Sequence, residues 1–510
     1  MTATTDFMVA IELGSTKITG VAGRKRSDGT LDILAYAAEE ASACIRKGVI
    51  FNIDKTAIAV TSILNRLEAA LDAPIARVYV GIGGQSLHTV KNSACRHFDE
   101  ETRITSAIVS ELIAVNRTIQ MAGQEILEVV PQEYRVDSGM LAEPVGVVSS
   151  AIEGRFLNIV AHTAVRQRIE ACFAQTKTRI AGCLIAPLEM ARTVLTDAEL
   201  RSGCVLVDFG AETTTVQVYK DHLLRHLAVI PLGGASITKD ICSLKIEEAD
   251  AEQLKLDYAN VFTHPQTENR AAGADNGNSY TYGTEGATVS ARLLSEIAEA
   301  RQEEIIANVW HQVSLSGYDD KLMGGIIVTG GASAISGLQE AIVAKTHIEK
   351  FRYAPYVGLS VESVSPEPLT KDGRTVTLLS LLAAARENCC GQQEQQIGSL
   401  FDEEGEDAAA KAERERDEKE ALIQQQKDEA VRLARQKEDE EAARRAIKAK
   451  EDADRRAAER AAEEIENIRK KKEEDDEERR RRRQNSLFGL LQKKWEKFTQ
   501  ELMDDEEKKV

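Results

Sequence analysis

One short segment constrains the fold of this chain more than any other. Residues Val205–Tyr219 have the pattern of an apolar β-strand, a polar turn and a second strand that runs back antiparallel. Backbone N–H groups in a turn of glycine and hydroxyl residues can point at an anion, and a carboxylate at the end of the first strand, here Asp208, can hold a hydrated cation beside it. The segment therefore predicts half of a phosphate-binding site.

The same order of residues occurs near the N-terminus. Val9–Ala22 again gives an apolar strand, a carboxylate (Glu12), a glycine (Gly14), hydroxyl residues and a second strand. A single hairpin of this kind is more often a plain β-turn, because Gly, Ser and Asp are simply turn residues. Two copies predict two half-sites that close on one ligand. We call residues 12–17 the N-terminal turn and residues 208–213 the central turn.

A third turn, which we call the glycine turn, follows in Ile326–Ser333, where Gly330 and Gly331 end an apolar strand. The three turns in this order resemble the superfamily of actin, the sugar kinases and the heat-shock chaperone ATPases, in which two related domains close on ATP. The resemblance implies an α/β protein with the actin-like two-lobed fold, a duplicated ribonuclease-H-like core.

The segment between the first two turns indicates a narrower family. Residues 84–178 have the pattern of a small inserted α+β subdomain, with the run V-V-P-Q-E-Y-R-V-D at Val129–Asp137. Together with Leu232–Ile241, this run resembles the FtsA family of bacterial cell-division proteins, over roughly residues 7–390. Pro131–Tyr134 fits a strand-edge turn equally well, so the run indicates identity and not catalysis.

The resemblance also implies how the chain divides. The expected parts are a first lobe (1–83, 179–203 and 371–398), the FtsA-type insert (84–178), a second lobe (204–370) with a smaller subdomain at about 245–320, a charged tether (399–484) and a membrane-binding amphipathic helix (485–510). Within the first lobe, Lys55–Leu71 predicts a helix, because apolar residues recur at roughly helical spacing: Ile58, Ile63, Leu64, Leu67 and Leu71.

The resemblance implies an ATP site assembled from all three turns. Glu12 and Asp208 are expected to hold Mg²⁺ through water, since Mg²⁺ dehydrates reluctantly. The groups expected to contact ATP are Gly14, Ser15, Thr16, Lys17, Gly210, Thr213, Gly233, Gly234, Lys239, Glu296, Gly330 and Gly331. For Lys239 and Glu296, a solvated helix face is as good an interpretation. No catalytic residue is assigned.

The central turn departs from the glycine-rich turn that is common in the superfamily. It has Ala211 and Glu212 after Gly210, which places a carboxylate near the expected phosphates. Like charges at such a distance cost on the order of 1 kcal/mol in a wet cleft and more in a dry one. We therefore expect ATP binding with weak or no hydrolysis, which suits a nucleotide-gated assembly protein better than an enzyme.

Composition excludes several other classes. The net charge of −18 argues against general nucleic-acid binding, because phosphate backbones are held by a surplus of Lys and Arg. The eight cysteines show no C-x-x-C or His/Cys cluster, which predicts neither a zinc site nor a disulfide framework and favours a reducing cytoplasm. Nowhere do about 18 uninterrupted apolar residues occur, so no membrane span is predicted.

More than half of residues 401–484 are Lys, Arg, Asp or Glu. The few apolar residues do not keep a heptad, so a coiled coil is not predicted. Opposite charges at i,i+4 favour either a single helix, up to about 126 Å long at 1.5 Å per residue, or a partly disordered chain. In both cases the segment acts as a spacer.

The last residues change character again. Asn485–Met503 predicts an amphipathic helix, flanked by Lys493, Lys494 and Lys497 and preceded by the five arginines Arg479–Arg483. Its apolar side chains fall on one arc: Leu487, Phe488, Leu491, Trp495, Phe498 and Leu502. Such a helix is suited to the headgroup layer of an anionic bilayer. The alternative is that the helix docks on a partner protein or on the core of its own chain, and it is the weaker one because the long charged tether holds the helix away from that core.

The FtsA resemblance implies a cytoskeletal adaptor for cell division. Such a protein binds ATP, polymerises with itself, receives the C-terminal peptide of the tubulin-like protein FtsZ and ties FtsZ filaments, with other division proteins, to the inner face of the cytoplasmic membrane. A pilus-assembly ATPase of similar architecture is the alternative, but it predicts no C-terminal amphipathic helix. A small-molecule kinase would need an Asp base at a sugar pocket, and no motif here can be assigned to one.

Overall fold

A computed structural model of the chain describes residues 6–137, 139–262, 279–283, 286–365 and 369–391, together with Lys493 and Lys497. All but the last two belong to one compact unit, Met1–Gln395, and the remainder of the chain is a second unit. The tether and the apolar side chains of the predicted amphipathic helix lie outside the described residues. Lys493 and Lys497, one turn apart, are both helical and exposed.

The described part of the first unit is built from nineteen strands and ten α-helices. The strands are β1 (Met8–Leu13), β2 (Lys17–Lys25), β3 (Leu31–Glu40), β4 (Ile45–Arg46), β5 (Val49–Ile50), β6 (Arg77–Ile82), β7 (His88–Arg103), β8 (Gln124–Val136), β9 (Gly139–Leu141), β10 (Val148–His162), β11 (Arg179–Ile185), β12 (Cys204–Phe209), β13 (Thr214–Lys220), β14 (Leu223–Ile230), β15 (Ser279–Tyr282), β16 (Ala287–Ser290), β17 (Gly325–Thr329), β18 (Phe351–Tyr353) and β19 (Val361–Ser363). The helices are α1 (Ile53–Leu71), α2 (Ser106–Arg117), α3 (Thr163–Phe173), α4 (Ala186–Val194), α5 (Asp197–Ser202), α6 (Gly234–Cys242), α7 (Glu248–Tyr258), α8 (Ala291–Ser316), α9 (Leu338–Thr346) and α10 (Val376–Ala384). A short 3₁₀ turn covers Gly331–Ala334.

The first lobe is a six-stranded sheet in the order β11-β6-β1-β2-β3-β19. Helices α1 and α3 bury one apolar face against it, and α4 and α10 cover the other. Helix α1 shows why the sequence folds this way. The Asn52 side chain caps its N-terminus by accepting from the Lys55 N–H, and Asp72 ends it in the left-handed conformation. Ile63, Leu64 and Leu67 are buried between these ends.

The second lobe continues into the insert within one nine-stranded sheet, β18-β17-β12-β13-β14-β7-β10-β8-β9. The junction is narrow: Ala228 on β14 pairs with His88 on β7. Beside it, the Thr89 hydroxyl accepts from the Leu227 N–H at 3.0 Å. Helix α8 lies along β13 and β14 and contacts α6, α7 and α9. One hydrophobic cluster contains residues of both lobes, among them Val21 and Leu206.

The insert has a small core of its own. Its long strands β7, β8 and β10 carry helix α2 on one face, where Leu112, Tyr134 and Phe156 are buried together. Beneath α2, the buried amide of Asn116 donates to the Asn158 side-chain oxygen at 2.6 Å, so the buried polar groups satisfy one another. The insert thus has a core of its own, while Leu157 and Ile159 on β10 also belong to the cluster that both lobes share.

None of the helices in the described ranges is long and apolar enough to cross a bilayer.

Candidate functional site: two matched turns and a glycine turn

The N-terminal and central turns have the same construction. Leu13 pairs with Ile18 in one hairpin and Phe209 pairs with Thr214 in the other, so each connection is residues 14–17 or 210–213. One position before each closing pair stands the carboxylate: Glu12 opposite Thr19 and Asp208 opposite Thr215. The two half-sites that the sequence predicts therefore have matching register as well as matching residues.

Glycine is required at the start of both turns. A Cβ atom on Gly14 would lie 2.7 Å from the Lys17 carbonyl oxygen, and one on Gly210 would lie 2.8 Å from that of Thr213. In the central turn the Gly210 N–H itself donates to the Thr213 carbonyl at 2.9 Å. Any side chain would force the turn to open, because a real Cβ does not approach a backbone oxygen so closely.

The central turn is held from below by helix α6. The N–H groups of Gly234 and Ala235 donate to the carbonyls of Gly210 and Ala211 at 3.0 and 2.7 Å. A Cβ on Gly233 would lie 2.5 Å from the Gly210 carbonyl oxygen. The pair Gly233-Gly234, predicted as cofactor contacts, therefore lets the helix terminus reach the turn and fixes the turn's position.

The glycine turn contacts the central turn at its carboxylate. Strands β12 and β17 are parallel, and Asp208 pairs with Thr329. The next residue, Gly330, has φ +92°, and a Cβ on it would lie 2.3 Å from Asp208 Oδ1. Gly331 is exposed at the surface of the turn. The structure thus brings the glycine turn and the central turn into contact.

Glu12 and Asp208 form an acidic pair between the lobes. Burial and the nearby Asp208 charge raise the pKa of Glu12 to about 8, although the Thr19 hydroxyl donates to Glu12 Oε2 at 3.2 Å and opposes the shift. Burial raises the pKa of Asp208 to about 6. No group of three or more His, Cys, Asp or Glu residues that could hold a metal ion occurs in the described ranges. The pair can thus supply two oxygen ligands to a cation that takes its remaining ligands from water or phosphate.

In chelator-treated protein, Glu12→Gln should stabilise the fold most at alkaline pH. A carboxyl whose pKa is raised in the folded state makes its full contribution to stability at a pH below its usual pKa of 4.5. This contribution is lost as the pH rises through the folded-state pKa of about 8. The free energy of unfolding of the wild type should fall relative to that of the variant by on the order of a few kcal/mol between pH 5 and pH 9. Urea unfolding at several pH values measures this difference.

The matched control is Glu303→Gln, which removes the same charge from the exposed face of α8. Its unfolding curve should follow that of the wild type at every pH. Parallel curves for the wild type and Glu12→Gln would show that the Glu12 carboxyl is not penalised by burial.

The central turn also contacts the first lobe through Glu212. Its Oε2 accepts a 2.7 Å hydrogen bond from the backbone N–H of Lys47, and its Oε1 lies 3.3 Å from the ammonium of Lys239. The adjacent N–H of Gly48 donates to the Ser15 hydroxyl at 2.9 Å. Two of the predicted site residues, Ser15 and Lys239, are thus engaged in contacts around one loop of the first lobe, Lys47-Gly48.

Other predicted contacts lie further out. The Lys17 ammonium is 4.0 Å from Glu40, and both side chains are more than half exposed (54% and 72%). Glu296 receives a 2.7 Å hydrogen bond from Arg292, one turn earlier on α8, and 54% of its side chain is exposed. The exposure of Glu296 agrees with the solvated helix face, one of the two interpretations that the sequence allows. A contact between Glu296 and the ribose stays a prediction.

Sequence reasoning missed a buried cation beneath the central turn. The Lys255 ammonium on α7 donates to the Gly234 carbonyl at 3.2 Å, to the Thr238 hydroxyl at 2.9 Å and to Glu252 Oε2 at 2.7 Å. Only 8% of Lys255 is exposed. The i,i+3 spacing of Glu252 and Lys255 was the available signal. This network fixes the first turn of α6, on which the central turn rests.

Comparison with known proteins decides the family. The family model described as cell division protein FtsA matches residues 205–376, and the model for the SHS2 domain inserted in FtsA matches residues 84–160. The cell division protein FtsA of Porphyromonas gingivalis is 32% identical over 338 residues, which are 65% of this chain and 69% of that protein. The chain belongs to the FtsA family. The FtsA of Pseudomonas aeruginosa is 26% identical over 372 residues, 72% of this chain and 87% of that protein.

One solved structure has the same fold over most of its length. The PilM–PilN type IV pilus biogenesis complex contains a chain that is 12% identical, with a TM-score of 0.51, 74% of this chain covered and 98% of that chain. At this identity the likeness shows the fold alone. The predicted actin-like fold and the FtsA resemblance are therefore confirmed, and the FtsA matches outweigh the pilus-assembly alternative. A cell-division protein of this actin-like family is a nucleotide-binding protein.

Proposed function

We propose that this FtsA-family protein binds ATP with Mg²⁺ between its lobes, polymerises, and tethers FtsZ filaments to the cytoplasmic membrane at the division site. The observation that carries the proposal is the matched pair of turns, each with an obligatory glycine and each with a half-buried carboxylate in the same register position. Two such turns from two lobes suit a ligand with several phosphates and one hydrated cation.

Each part of the site has a physical role in this proposal. The backbone N–H groups of Gly14, Ser15 and Thr16 would bind the phosphates from the first lobe. Gly210 and Thr213 would bind them from the second lobe. Glu12 and Asp208 would hold Mg²⁺ through water, and the bound ion would neutralise phosphate charge. Gly330 and Gly331 would let the backbone approach the nucleoside. Gly330 is also needed for packing, since a Cβ on it would lie 2.3 Å from Asp208 Oδ1.

The tethering part of the proposal rests on two separate parts of the chain. The FtsZ C-terminal peptide would dock on the second lobe's smaller subdomain, at about residues 245–320. The C-terminal amphipathic helix would lie on the anionic leaflet, with Lys493 and Lys497 exposed beside it. Self-assembly would place many such helices along one filament. The filament would then bind the membrane stably although each helix binds it weakly.

Co-sedimentation with vesicles tests the membrane helix and the FtsZ-peptide site in one experiment. The full chain should pellet with vesicles of phosphatidylglycerol and phosphatidylethanolamine, and should carry purified FtsZ into the pellet only when FtsZ keeps its C-terminal peptide. Vesicles of phosphatidylcholine alone are the control for charge. Failure to bring FtsZ down in the presence of Mg·ATP, with the chain itself pelleted, would remove the adaptor function and leave the membrane anchor intact.

A further inference from the structure

The carboxylate of Glu212 joins the two lobes. It extends from the central turn of the second lobe, accepts from the backbone N–H of Lys47 in the first lobe at 2.7 Å, and pairs with Lys239 on α6 at 3.3 Å. Its side chain is 22% exposed, whereas that of Lys239 is 63% exposed. The negative charge of Glu212 is therefore held by one cation of its own lobe and one backbone donor of the opposite lobe.

The receiving loop is built to present those donors. Lys47 and Gly48 both have positive φ, +49° and +70°, between the short strands β4 and β5. A Cβ on Gly48 would lie 2.7 Å from the Cα of Gly84, so the loop is packed against a second backbone segment. Its two successive N–H groups reach one residue of each turn, Glu212 and Ser15. This loop thus contacts both half-sites.

We propose that Glu212 is an internal competitor of the nucleotide phosphates, an inference that rests on the nucleotide site proposed above. A carboxylate and a phosphate seek the same partners, which are backbone N–H groups and lysine ammonium groups. Glu212 already holds Lys239, the cation that the family resemblance assigns to ATP. A phosphate bound at Gly210 and Thr213 meets this carboxylate on the same turn. ATP must therefore displace Glu212 from Lys239, and Glu212 sets the affinity of the site for ATP.

Nucleotide affinity tests the competition. Glu212→Gln keeps a side-chain oxygen for the Lys47 N–H but removes the charge, so isothermal titration with Mg·ATP should show binding about tenfold tighter than wild type. Glu303→Gln, the same change on the exposed face of α8, should bind as the wild type does. Lys239→Gln should weaken binding more in the Glu212→Gln background, where the ammonium is released to the phosphates, than in the wild type.

Hydrogen exchange without nucleotide tests the contact by itself. In Glu212→Ala the peptide spanning residues 44–51 should exchange faster than in the wild type, because the Lys47 N–H loses its acceptor, and Glu212→Gln should stay close to the wild type. Unchanged exchange in Glu212→Ala would overturn the interlobe contact. Binding of ATP by Glu212→Gln no tighter than by Glu303→Gln would overturn the competition. If no variant binds ATP but exchange responds as stated, the nucleotide function fails and the contact stands.

Discussion

Gly210→Asp and Gly14→Asp should each abolish ATP binding. The Cβ of either residue would lie within 2.8 Å of a carbonyl oxygen in the same turn, so the backbone that we propose for phosphate binding must open. The added carboxylate then stands where phosphate has to approach, at a distance where like charges repel by at least about 1 kcal/mol. Together the two effects should lower the affinity for Mg·ATP by about 100-fold or more, measured by titration calorimetry.

The matched control is Gly391→Asp. A Cβ there would come no closer than 3.3 Å to any atom, the Cγ of Pro74, which a shift of a few tenths of an ångström accommodates. Pro74 precedes β6 at the end of the strand that is remote from the turns. This variant should bind ATP as the wild type does. Gly14→Ala and Gly210→Ala separate the two causes, because they carry the steric effect without the charge. Wild-type affinity in both Asp variants would refute the site made of two turns.

The fold could be predicted because its determinants are local. Each hairpin turn is specified by a few adjacent residues whose strand register follows directly, as the pairs Leu13 with Ile18 and Phe209 with Thr214 show. The helix α1 was also predictable from apolar spacing, yet Ile58 is 71% exposed. Five residues separate it from Ile63, a rotation of about 140° around the helix, so the two cannot share a face.

The contacts between distant segments could not be predicted. The hydrogen bond from Lys47 to Glu212 joins residues 165 positions apart, and no local pattern indicates that the β4–β5 loop meets the central turn. The strands of the insert and the second lobe meet at one backbone pairing, Ala228 with His88, between segments about 140 positions apart. The sequence indicates that the charge of Glu212 disfavours ATP binding. The structure also shows the groups that the Glu212 carboxylate contacts.

Trp495→Glu, or deletion from Asn485 onward, should release the protein from anionic vesicles without changing its affinity for ATP. Trp495 lies outside the described residues, and the expectation rests on the sequence pattern. Burying Trp495 and Phe498 at the acyl boundary should each contribute roughly 1.5 to 3 kcal/mol, and each basic residue near the surface about 1 kcal/mol. Replacing Arg479–Arg483 by Gln should weaken binding in a salt-dependent way, since only the electrostatic part is removed.

Gln500→Glu distinguishes the apolar face from a general effect of charge. It adds the same negative charge to the same helix, but about 100° per residue places Gln500 opposite the arc that contains Trp495 and Phe498. Its sedimentation should therefore stay close to that of the wild type. A single helix of this kind binds reversibly, so the loss in Trp495→Glu should be largest for protein kept below its assembly concentration, where multivalency cannot compensate. If the chain truncated before Asn485 still sediments with vesicles that carry no FtsZ, the anchor lies in another segment and FtsZ is tethered by a different route.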